Sequence, residues 1–117
     1  MITELTISRM CKQYHVTKRA LRFYEEEGLI SPRREGRWRF YDEKARQRLE
    51  MILLGKRLRF SLTEIKEIFN NVNVDDSIGF EHLLSEQQIL EQIEYLEQQR
   101  RELDGAITKL RERLGRR

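Results

Sequence analysis

Eight positions near the C-terminus, Ile89, Ile93, Leu96, Arg100, Leu103, Ile107, Leu110 and Leu114, recur with spacings of 4, 3, 4, 3, 4, 3 and 4. On a helix this alternation draws one narrow stripe, the seam of a coiled coil, flanked here by Glu, Gln and Arg. A helix folding back on its own domain would carry a wider stripe of period 3.6. One helix cannot bury the seam by itself, so residues 80–117 are expected to form a coiled-coil dimerisation helix and tail, and the chain is expected to pair with a second copy of itself.

Charge separates the chain into two parts. Residues 1–70 hold 16 Lys/Arg against 10 Asp/Glu, a balance of +6, while residues 71–117 hold 7 against 10, a balance of −3. A basic domain joined to an acidic helical tail suits an anionic partner for the first part and a protein partner for the second, and nucleic acid is the obvious anion. With 117 residues there is room for one compact domain plus one long element. No apolar run approaches 18 residues and "MITELTISRM" has neither a basic leader nor a hydrophobic signal core, so neither membrane nor export is indicated and a cytoplasmic location is expected. The single Cys11 cannot form an internal disulfide or a multi-Cys metal site, and it reads as a buried structural thiol.

Along the first seventy residues, "ELTIS" makes a very short extended start and Ser8 can cap a helix running through Tyr14 with Ile7 and Met10 inward. Thr17 caps a second helix that ends at Gly28, only about three residues beyond the first, which is helix-turn-helix spacing. "ISPRREGRWRFY" then alternates around Pro32 and Gly36, with Trp38 and Phe40 on one face and Arg37, Arg39 and Tyr41 on the other, as in a β-hairpin wing. Asp42 can cap a third helix through about Leu58 carrying Ala45, Leu49, Ile52 and Leu53, and "SLTE" at 61–64 is a capping box opening a fourth through about Asn70. The expected organisation is a mainly α fold: a winged helix-turn-helix over 1–70, a linker loop over 71–79, and the dimerisation helix.

That order resembles the N-terminal part of the mercury-resistance-regulator (MerR) family of bacterial transcription factors. "TISRMCKQYHVTKRALRFYEEEGLISP" is similar to its first two helices, "RWRFY" to the Gly-aromatic-Arg-x-Tyr of its wing, and "LRFSLTEIKEI" to the Gly-Phe-Ser-Leu-x-Glu-Ile motif opening its fourth helix. The likeness is close over residues 5 to about 70 and one of character over 80–114. It departs at Arg59, where the family commonly has Gly, which puts the backbone before Phe60 in question and adds a positive charge.

The resemblance implies a DNA-binding regulator rather than an enzyme, working as a homodimer on a pseudo-palindromic promoter site that it bends and untwists for RNA polymerase. A second helix lying in the major groove points its first turn, Thr17, Lys18 and Arg19, at bases and phosphates. Arg22 and Tyr24 stand at the family's contact positions on that helix, with Phe23 expected in the core. On the wing, Arg34, Arg37, Trp38 and Arg39 can straddle the sugar-phosphate backbone, Arg39 at the family's wing-arginine position. Trp38 can pack on a sugar edge or cover the third helix. Lys56 stands where the family often places another phosphate-contacting base. Glu25, Glu26 and Glu27 would repel DNA, so the helix must lift its end away or pair them with nearby cations.

No cofactor or metal is expected. Metal and redox sensors of the family carry Cys ligands at and beyond the dimer helix, and nothing after Cys11 is a Cys. Drug- and cobalamin-sensing members append a large C-terminal domain, so a chain stopping at Arg117 reads as a short member without an effector domain. His82 with Asp75, Asp76 and Glu86 reads as solvated loop and helix start. No Ser/His/Asp or Cys/His constellation or phosphate-cradling Gly loop points to catalysis. The rival to a regulator is a nonspecific architectural DNA-binding protein, with the same basic wings but little discrimination between sites. The resemblance also implies antiparallel terminal helices. In the register where positions sum to 203, Ile89 meets Leu114, Ile93 meets Leu110, Leu96 meets Ile107 and Arg100 meets Leu103, whereas parallel pairing would stack two Arg100 side chains.

Overall fold

The computed structural model describes residues 4–72, 74 and 78–116, and Asp75 and Asp76 lie outside them. Its elements in order are β1 (Leu5–Thr6), α1 (Ile7–Tyr14), α2 (Lys18–Glu26), β2 (Arg33–Glu35), β3 (Trp38–Tyr41), α3 (Glu43–Arg57), α4 (Leu62–Asn71), a 3-10 turn (Phe80–Leu83) and α5 (Glu86–Gly115). They divide into two units, Met1–Leu83 and Leu84–Arg117.

In the first unit the helix starts are set by side-chain caps. Thr17 accepts from Ala20 N, Asp42 from Ala45 N, and Ser61 exchanges hydrogen bonds with Glu64 in the expected capping box. The first helix differs: Thr6, not Ser8, accepts from Arg9 N, so α1 begins at Ile7. A Ser8 cap would have cost the hydrogen bond and left Ile7 outside the helix that half-buries it. His15, in the left-handed region at φ 55°, ends α1 three residues before α2, which Gly28 follows at φ 75°.

The wing is a three-stranded antiparallel sheet of order β1-β3-β2. Of the extended start read in "ELTIS", Leu5–Thr6 supplies its third strand, Leu5 opposite Tyr41 and Thr6 opposite Phe40, while Ile7 and Ser8 already belong to α1. The hairpin aligns Arg33 with Phe40, Arg34 with Arg39 and Glu35 with Trp38 around a turn that includes Gly36 at φ 60°. Alternation along β3 buries Tyr41 completely and leaves Trp38 62% exposed, so Trp38 does not cover the third helix.

The core collects Met10, Leu21, Tyr24, Leu29, Ile30, Tyr41, Leu49, Ile52 and Ile65, with Met51 added to the apolar face read for α3 and Leu53 only half-buried. Cys11 is half-buried rather than sealed inside. The expected boundary at residue 80 moves: Phe80 is fully buried, its ring 5.6 Å from Phe60 and 6.1 Å from Phe69, edge-on to both. The backbone of α3 admits this packing because Gly55 has no side chain, since a Cβ there would sit 3.0 Å from Ile65 and 3.3 Å from Phe80. An aromatic with two aromatic partners joins the core instead of opening the dimerisation helix.

Arg59 keeps the geometry that glycine would adopt, φ 72°, just after α3. A left-handed L-residue costs roughly 1–2 kcal/mol, against about 0.5–1 kcal/mol of extra chain entropy for glycine. Arg59→Gly should therefore raise stability by up to about 1 kcal/mol in urea unfolding, and a loss of that size would show that the Arg59 side chain holds the corner.

The second unit is one thirty-residue helix, α5, opened by a capping box between Ser85 and Gln88. No residue of α5 is buried, and Ile89, Ile93, Leu103, Ile107, Leu110 and Leu114 stand exposed along the seam, with Leu96 half-exposed and Arg100 exposed.

Candidate nucleic-acid interface

Two inward residues, Leu21 and Tyr24, anchor α2 on the core. At 100° per residue this turns Lys18, Arg19, Arg22, Phe23 and Glu26 outward, and all five are exposed. The two aromatics exchange the places expected for them: Tyr24 is 3% exposed and Phe23 45%. Only one of two adjacent helical residues can face the core, and Leu21 with Tyr24 are the i, i+3 pair that does. The Tyr24 hydroxyl is not isolated, because Lys56 Nζ donates to it at 3.3 Å. Thr17 Oγ1 is engaged as an acceptor in the cap, which leaves its hydroxyl proton to donate outward.

The acidic run is resolved by pairing. Arg34 and Arg39 lie directly opposite each other in the hairpin, a like-charge pair that destabilises a sheet by itself. Glu25 of α2 accepts from both: Arg39 Nε donates to Oε2 at 2.9 Å and Arg34 Nε to Oε1 at 3.1 Å, with an Arg34 terminal nitrogen on the same oxygen. Burial raises the Glu25 carboxyl, and the hydrogen bonds and charges of Arg34 and Arg39 more than offset it, so its pKa falls below the ordinary value. The carboxylate thus fixes the wing to the recognition-helix candidate through two elements. Glu27 is held by Lys66 at 3.2 Å, and Glu26 alone stays open to solvent.

The wing cations divide accordingly. Arg37 at the tip is exposed, Arg34 is exposed but tethered, and Arg39 is half-buried against Glu25. Arg33, which sequence reading did not single out, binds Glu4 at 2.9 Å and Glu35 at 3.0 Å and lies 4.7 Å over the Phe40 ring, so it braces β2. Beside α2 an open groove of about 710 Å³ runs between the helix and the α3–α4 corner, lined by Thr17, Arg19, Ala20, Arg22, Phe23, Tyr24, Glu26, Lys56 and Leu62. Thr17, Lys18, Arg19, Arg22, Lys56 and the wing residues Arg34, Arg37, Trp38 and Arg39 therefore all belong to the first unit, with Arg19, Arg22 and Lys56 meeting at this groove. Tyr24 reaches it only from the inner side. His82 lies 3.6 Å from Glu81, and among the described residues no cluster of His, Cys, Asp or Glu could hold a metal ion. No helix among the described residues is long and apolar enough to cross a membrane.

Two family models match: MerR HTH family regulatory protein over residues 5–72, and MerR, DNA binding over residues 46–113. Among curated relatives, the HTH-type transcriptional regulator CueR of Bacillus subtilis is 37% identical over 79 residues, 62% of this chain and 55% of that one. The HTH-type transcriptional regulator ZntR homolog of Haemophilus influenzae is 38% identical over 71 residues, 59% of this chain and 53% of that one. The chain spans about half the length of these relatives. Among solved structures, a MerR family transcriptional regulator from Bacillus cereus superposes with a TM-score of 0.71 at 26% identity, covering 93% of this chain and 78% of that one. HiNmlR, described as a MerR family regulator lacking the sensor domain and bound to promoter DNA, superposes with a TM-score of 0.68 at 26% identity, covering 96% and 88%.

Proposed function

We propose, starting from the fact that the chain belongs to the MerR family of helix-turn-helix regulatory proteins, that it is a sequence-specific DNA-binding transcriptional regulator acting as a homodimer. The observation that carries this reading is the Glu25 bridge, which locks a cationic wing beside the outward Lys18, Arg19 and Arg22 of α2. A helix and wing held at fixed spacing can engage a major groove and the adjoining backbone together. Lys18, Arg22, Arg34, Arg37, Arg39, Trp38 and Lys56 serve as backbone contacts, Thr17 and Tyr24 as hydroxyl donors, and Arg19 as a base reader.

The exposed seam of α5 supports dimerisation, since a stripe of apolar side chains in water is stabilised when a second copy covers it. Two copies bring two basic first units to a pseudo-palindrome. Their phosphate contacts supply the on the order of 1–6 kcal/mol needed to bend and untwist a promoter so that RNA polymerase engages both its elements. The site of action is the cytoplasm, where bacterial promoter DNA lies.

Selection of bound sequences from a random library tests the reading. An inverted repeat should emerge, bound about 10³-fold or more tighter than random DNA. Recovery of no preferred sequence would leave only nonspecific binding. Within the selected site, Arg22→Ala and Arg37→Ala should weaken specific and random DNA alike. Each should lower the slope of log K against log salt by about 0.9 per contact, roughly 1.8 per dimer. Arg39→Ala should change the slope less, because Glu25 already engages its charge. Arg19→Ala should instead relax one position per half-site, at a cost of about 1–3 kcal/mol. An unchanged sequence preference would make Arg19 another phosphate contact.

A further inference from the structure

Phe23 stands 45% exposed on the outward side of α2, where the core has no use for it because Leu21 and Tyr24 already fill the inner face. Its ring meets the Tyr24 ring in a tilted contact, centroids 6.4 Å apart. It lies one turn beyond Arg19, at i+4 on the same stripe, and lines the open groove next to the apolar side chains of Ala20 and Leu62. The exposed Glu26, three residues further on, faces the same groove and repels phosphate. Lys56 Nζ, the cation across the groove, is turned onto the Tyr24 hydroxyl.

Resting on the proposed function above, we propose that Phe23 is a specificity-determining residue that packs on the C5-methyl group of a thymine next to the base read by Arg19. Three features select this partner. The ring has no polar atom, so it cannot donate to phosphate oxygens as a tyrosine would. The neighbouring Glu26 carboxylate disfavours a phosphate against the ring itself, which leaves the phosphates to Arg22 and Lys56. Among base edges in the major groove, the thymine methyl is the apolar group on offer. Phe23 and Arg19 then form a two-residue reader, one apolar and one charged, on a single helical stripe.

The test uses the full chain and the site recovered by selection, with each thymine replaced in turn by deoxyuridine, which deletes only the methyl group. The wild-type protein should lose about fourfold in affinity at one thymine per half-site, the value of one buried methyl group. Phe23→Ala should bind the thymine and deoxyuridine forms of that position equally, with Phe23→Leu in between and responses at other thymines unchanged. Because the ring is exposed, both variants should melt with the wild type, and Phe23→Leu carries the comparison should Phe23→Ala melt lower. The proposal is overturned if no thymine shows a methyl effect, or if the effect survives in Phe23→Ala. A uniform loss for every DNA, as from a deoxyribose contact, overturns it as well. A wild-type protein that selects no site at all sinks the proposed function along with it. Clear selection with no Phe23-dependent methyl effect sinks this inference alone.

Discussion

Phe80→Ala should destabilise the first unit by about 3–5 kcal/mol, the cost of removing a fully buried ring from a packed core. The ring touches Phe60 and Phe69 edge-on and stands beside Gly55. The ring is fully enclosed among these neighbours, so the cavity term adds to the lost transfer term. Urea unfolding followed by far-UV circular dichroism measures the shift. DNA affinity should fall as well, because Phe60 opens the corner that precedes Leu62 and the groove. A change under about 0.5 kcal/mol, the range of surface substitutions, would return Phe80 to the dimerisation segment that was expected to begin with it.

Cross-linking gives an all-or-none second result. In a Cys11→Ser background, Leu96→Cys combined with Ile107→Cys should oxidise to a covalent dimer joined at two crossings, while neither single variant should. Opposed cysteines require Cα atoms within about 7 Å, which the antiparallel register with positions summing to 203 provides for this pair and denies to Ile107 with its own copy. Arg100 then lies along Leu103 of the other helix, its guanidinium free to reach Glu97 or Glu102, instead of meeting a second Arg100. Dimerisation of the Ile107→Cys variant alone would mean parallel helices or a shifted register, and would overturn this geometry.

The residues that made the architecture legible act locally. Caps at Thr17, Asp42 and Ser61, the left-handed Gly28, and the 2.0, 3.6 and 3.5 residue periods of wing, helices and seam each operate within a few positions of chain. The starts of α2, α3 and α4, the hairpin and the seam could therefore be read before any neighbour was known, while the first helix, expected to start at Ser8, is capped by Thr6. Only tertiary packing could decide the rest. Phe23 and Tyr24 are adjacent, so which of them faces inward depends on where α2 meets the core, and the exchange left the exposed, groove-lining Phe23 out of the expected site. Glu25 could have lifted away from DNA or paired with any of several cations. The hairpin register that sets Arg34 opposite Arg39 gives the carboxylate two partners at once, 9 and 14 positions distant. Phe80 lies 20 residues beyond Phe60, and no local period can report a ring that is buried by residues so far along the chain.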